Sequence, residues 1–173
     1  MKKLAALLLA VCMLLPLCAG ATRERITSFT PEEAAAVSVR FDALLAATVA
    51  GESYPDCCQG MTEADRLLYV AILFDSCLRS SGLCSFVVDE PVMLYDVPAA
   101  LRMVGAQEQA VLVEGFLAEH DPAANPAFAV MGLFSCDLAG SLYPFSSLEE
   151  ALLALEMESA LTSLIAQHIA SAR

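Results

Sequence analysis

From residue 30 onward apolar side chains recur every three or four positions, and helix-starting and helix-stopping residues bound the runs. Thr30-Pro31-Glu32-Glu33 reads as a cap, a proline at the first helical position and an acid at the third, a capping box. The helix it opens is expected to reach about Ala50, with Val37, Phe41, Leu44, Leu45 and Thr48 on one face and Gly51 as its stop. Thr62 caps a second helix, with Glu63 and Asp65 in its first turn, Leu68, Ala71, Ile72, Phe74 and Leu78 facing inward, and Ser80-Ser81-Gly82 at its end. Leu83 to Val88 reads as a short helix, Asp96 with Pro98 begins another that ends at Gly105, and Ala106 to about His120 forms the next, stopped by Asp121-Pro122. Prolines and glycines between 123 and 146 leave room only for a short helix around Phe128 to Phe134. Ser147-Leu148-Glu149-Glu150 predicts a second capping box and, from it, the longest helix, to about Ala170. Leu148, Leu152 and Leu155 fall near one face of it and Leu153, Met157 and Leu164 near the opposite one, so it is expected to be buried centrally. With no alternating strands and no internal repeat, the expected fold class is all-α, one multi-helix domain over residues 22–173.

The first 21 residues have a different pattern. Lys2 and Lys3 precede an apolar core from Leu4 to Leu17, and Ala19-Gly20-Ala21 has the small-x-small form of a signal-peptidase site. That predicts an exported protein starting at Thr22. An uncleaved anchor is the alternative, although the run, interrupted by Pro16, falls short of the roughly 20 apolar residues of a spanning helix. A lipoprotein start at Cys18, which would tie the protein to a membrane, is a further one.

Export changes how charge and cysteines read. Without the leader, 21 acids face seven arginines and no lysine, a net charge of −14. Such a chain repels nucleic acid and anionic membranes and favours basic partners or plain solubility. Glu32, Glu33, Glu63, Asp65, Glu149 and Glu150 are expected in first helical turns, where each offsets exposed amide dipoles by about 0.3–1 kcal/mol. Glu108, Glu114, Glu119 and Asp121 lie outside those turns and are the candidate partner-binding acids. Five cysteines follow the leader, Cys57, Cys58, Cys77, Cys84 and Cys136. An odd number leaves at least one thiol outside any internal bridge. Each bridge would add about 2–4 kcal/mol, and adjacent Cys57 and Cys58 would be strained if bonded to each other, so each is expected to pair elsewhere or stay reduced. The bland reading of Cys77, Cys84 and Cys136 is small apolar core residues.

Little in the sequence suggests catalysis. His120 and His168 are the only imidazoles, each near an expected helix end where a cation complements the dipole. No phosphate-cradling glycine loop, Gly-x-Ser-x-Gly or Cys-x-x-Cys is present, and no cofactor or metal is implied. A thiol-dependent or hydrolytic exported enzyme would have to use Cys57, Cys58 or His120.

The stretches Leu67-Leu68-Tyr69-Val70-Ala71-Ile72-Leu73-Phe74-Asp75, Ser80-Ser81-Gly82-Leu83-Cys84-Ser85-Phe86-Val87 and Ala99-Ala100-Leu101-Arg102-Met103-Val104-Gly105-Ala106 resemble the DNA mimic protein 19 family over about Met61 to Glu119. In that family a helix ends in Asn-Gly-Gly-Phe-x-Gln-Phe/Tyr; this chain keeps Gly82 and Phe86 but has Ser80, Ser81, Leu83 and Ser85 at the other positions. The resemblance implies a small, acidic, all-helical fold and, as one alternative, an activity that displaces DNA from a DNA-binding protein. The residues taken together predict an exported, non-enzymatic protein-binding module whose acidic surface meets a basic protein.

Overall fold

The computed structural model describes residues 29–89, 91–120, 145–156 and 160–172. The leader, the short helix expected around Phe128 to Phe134, Asp121 and Cys136 lie outside these segments. In chain order the elements are α1 (Pro31–Ala47), a 3-10 turn (Asp56–Cys58), α2 (Glu63–Ser80), α3 (Leu83–Asp89), a second 3-10 stretch (Pro91–Tyr95), α4 (Val97–Met103), α5 (Gln107–Glu119), α6 (Phe145–Glu156) and α7 (Leu161–Ser171). The described residues contain no strand, and the seven helices pack as one domain, so the fold is all-α.

Local chemistry starts α1 and α2 as the sequence predicts. The Glu33 amide donates to Thr30 Oγ1 at 3.2 Å while the Thr30 amide donates to Glu33 Oε2 at 2.7 Å, which completes the capping box. The Asp65 amide donates to Thr62 Oγ1 at 3.2 Å. α1 ends at Ala47, three residues short of the expected Ala50. Thr48 turns extended, its amide and hydroxyl both donate to the Leu45 carbonyl, and the Val49 amide donates to Cys57 O at 2.8 Å. That bond ties the exit of α1 to the 3-10 turn.

The central helix is α2, not the C-terminal one. It packs against α1, α3, α4 and α7, and Val70, Ala71, Phe74, Asp75 and Leu78 along it are buried almost completely. Burying each large apolar side chain there contributes about 1.5–3 kcal/mol. At its end Gly82 has φ +87°, and its amide donates to Cys77 O at 2.8 Å, a left-handed exit that only glycine makes without strain. Phe86 of α3 then meets Phe74 edge-on, ring centres 5.5 Å apart. The two positions that carry the family resemblance at this turn thus have structural work here.

The expected single helix from Ser147 to Ala170 is two helices. Phe145 opens α6, which puts Ser147 inside the helix, so the second capping box does not form. Ala160 is extended (ψ 125°), and the Leu161 amide at the start of α7 donates to Glu156 Oε1 at 2.9 Å. The break leaves Leu148, Leu152, Leu153 and Leu155 on α6 and Leu164 on α7, while Met157 lies outside the described residues. Leu148 and Leu152 of α6 are buried where it packs on α3 and α5, while Leu161, Ile165 and Ile169 of α7 are buried where it packs on α1 and α2.

Candidate functional site

α5 and α6 lie side by side and leave a shallow, widely open groove of about 550 Å³, lined by Gln107, Glu108, Val111 and Leu112 from α5 and by Ala151, Ala154 and Leu155 from α6. Small side chains at 151 and 154 keep it open. Val111 is 61% exposed although it is a β-branched apolar residue in mid-helix. Phe116, one turn beyond Leu112 on α5, holds the pair together by packing on Phe145, ring centres 5.4 Å apart.

The candidate acids separate in space. Glu108 and Glu119 sit eleven positions apart on α5, about 20° around its axis, so they share one stripe, with Glu108 lining the groove and Glu119 roughly 16 Å further along the helix. Both are exposed. Glu108 falls in the first turn of α5, so it has a dipole role that the sequence reading did not give it. Glu114 lies about 120° away from Glu108 and accepts both terminal guanidinium nitrogens of Arg102 from α4. The Arg102 hydrogen bonds hold its carboxyl below the usual range. It is an exposed acid already paired with an arginine of its own chain.

Other acids are committed in the same way. Asp65 pairs with Arg40, and Asp96 accepts from both Tyr54 Oη and Arg66, whose guanidinium also donates to the phenol oxygen at 2.5 Å. Burial, reinforced by the Asp96 bond, pushes the Tyr54 phenol well above its ordinary value. Glu149 Oε2 accepts the Leu83 amide at 2.9 Å and caps α3 from a distant helix.

The deepest ionic cluster joins α2, α6 and α7. Asp75 is fully buried, takes Arg79 Nε at 2.9 Å and Nη2 at 2.8 Å in a bidentate pair, and accepts Thr162 Oγ1 at 2.8 Å. Arg79 also lies over the Phe29 ring, 5.0 Å from its centre. Desolvation, helped by the Asp75 charge, raises Glu156 to about 7. A perturbed carboxyl of this kind is common at functional sites, but here each group clamps a helix junction.

The thiol and imidazole candidates are placed as follows. Cys57 and Cys58 are buried, with their Sγ atoms 3.6 Å apart, in contact and well beyond a bond of about 2.05 Å; Cys77 and Cys84 are partly buried. His120 closes α5, its amide donating to Phe116 O at 2.8 Å and its ring tilted on Phe116 at 5.0 Å. His168 lines a second, more polar groove of about 430 Å³ with Arg40 and Asp65. Among the described residues no three His, Cys, Asp or Glu side chains gather as a metal site, and no helix is long and apolar enough to cross a membrane.

The sequence reading missed the groove itself. The signal available was Val111, an apolar residue on the polar side of the α5 pattern. Comparison with protein-family models, with curated proteins and with solved structures found no match, so the likeness to the DNA mimic protein 19 family rests on the residues quoted for it alone.

Proposed function

We propose that this chain is an exported, non-enzymatic module that binds a basic, partly apolar segment of another protein along the α5–α6 groove. The observation that carries this reading is the exposed apolar floor formed by Val111, Leu112, Ala151, Ala154 and Leu155, edged by Glu108 with Glu119 on the same stripe. A helix-in-groove mode supplies apolar contact, while the acids and the overall −14 of the exported part attract a basic partner. Displacement of DNA from a DNA-binding protein is less well supported. Glu114, Asp65, Asp75, Asp96 and Glu149 are spent on internal partners, which thins any row of acids able to imitate phosphates.

The test is affinity capture from the native envelope fraction with wild-type and Val111→Glu baits. A captured protein with a basic, amphipathic segment that is lost with the Val111→Glu bait supports the groove. The same protein held equally by both baits removes it.

A further inference from the structure

Cys57 and Cys58 occupy consecutive positions of a 3-10 turn, where side chains leave the axis about 120° apart. Their sulfurs nevertheless converge to 3.6 Å. The peptide between them is held on both sides, its carbonyl, Cys57 O, accepting from Val49 at 2.8 Å and its amide, Cys58 N, donating to Pro55 O at 2.9 Å. The chain neighbours Pro55, Asp56, Gln59 and Gly60 are exposed, whereas Cys57 is 8% and Cys58 3% accessible.

We infer that Cys57 and Cys58 form a bidentate dithiol site for a trivalent, three-coordinate thiophilic centre, the chemistry of arsenite and mono-organic arsenicals. Spacing selects among the alternatives. Joining the sulfurs directly would draw them from 3.6 Å to about 2.05 Å and twist the clamped peptide against both backbone hydrogen bonds. A linear dithiolate centre with bonds of about 2.3 Å would need the sulfurs roughly 4.6 Å apart. A bent centre with the same bonds spans 3.6 Å at roughly 100° between its sulfurs, the separation the pair already has.

Charge and ligand number narrow the class further. Zinc wants four ligands, whereas trivalent arsenic carrying one substituent of its own needs two from the protein. In the reaction two S–H bonds break and two As–S bonds form. The oxygen of R–As=O leaves as water with both thiol protons, arsenic stays trivalent, and no oxidant or reductant takes part. The product is neutral, which suits sulfurs that are almost fully buried.

The experiment uses the reduced full chain with phenylarsine oxide as probe. One equivalent should bind the folded protein, shield Cys57 and Cys58 but not Cys77 or Cys84 from alkylation in a mass-spectrometric map, and raise Tm by several degrees, because a ligand that prefers the native state stabilises it. Cys57→Ala or Cys58→Ala should abolish the shift. The protection map of the wild-type chain answers the same question if either variant fails to fold. Arsenite run in parallel separates the sources: stabilisation by both probes assigns the inorganic form as well, stabilisation by phenylarsine oxide alone the mono-organic form. Absence of uptake, shielding of a different pair, or a fall in Tm showing that only the unfolded chain reacts would overturn the assignment.

Discussion

Glu149 of α6 accepts the backbone amide of Leu83 across 66 residues of chain and so caps α3 from outside it. The contact also explains why residue 82 is glycine. A β-carbon there would approach Glu149 Oε2 to 2.9 Å, at a backbone φ of +87° that other residues rarely adopt. Replacing Glu149 by Ala should cost about 0.5–2 kcal/mol, as loss of a helix cap does, whereas Gln, which keeps the acceptor, should cost less. Gly82→Ala should destabilise by about 1 kcal/mol or more. Denaturant unfolding of the three variants measures the order.

The Asp75–Arg79–Thr162 cluster predicts a larger effect from a single side chain. Arg79→Met keeps the bulk but leaves the fully buried Asp75 carboxylate with the Thr162 hydroxyl alone, and should cost about 3–5 kcal/mol. Thr162→Val removes only one hydrogen bond and should cost about 1–2 kcal/mol. If the two variants unfold at the same denaturant concentration, Arg79 does not offset the buried charge of Asp75.

Glu156 makes the fold sensitive to pH near neutrality. Its folded value of about 7 lies above that of an unfolded carboxyl, so the neutral form is the one the fold prefers. Its contribution is therefore complete below the unfolded value and is lost as pH rises through about 7. Because part of the side chain remains in solvent, the expected loss is reduced to on the order of 2 kcal/mol between about pH 4.5 and 8. Glu156→Gln should flatten that slope and raise stability at pH 8. Thermal melts of both proteins across the range would show it, and parallel profiles would count against the buried carboxyl.

How far the fold was legible follows the reach of the interactions. Thr30 and Thr62 act within four residues, and the helices they start lie where the sequence puts them. The break between α6 and α7 was hidden because what fixes it is tertiary: Thr162 turns to a carboxylate 87 residues earlier, and Glu156 restarts the backbone with its side chain. The same holds for the site. Glu108 and Glu119 are readable as acids on a helix, but the partner that removes Glu114 sits on the preceding helix, and the groove exists only because small residues of α6 face Val111. Convergence of Cys57 and Cys58 depends on a turn that hydrophobic periodicity does not reveal.

The claim that acids beside the α5–α6 groove draw in a basic protein is tested most directly by the association rate of the captured partner as ionic strength rises. Surface charges are screened within about 8 Å at physiological salt, so the wild-type rate should fall about tenfold or more between low and high salt. Glu108→Gln with Glu119→Gln should lower the low-salt rate and flatten its salt dependence, while Glu114→Gln, which is paired with Arg102, should change it far less. Rates that are equal at both salt concentrations, or an effect of Glu114→Gln as large as that of the double variant, would contradict steering by the groove acids.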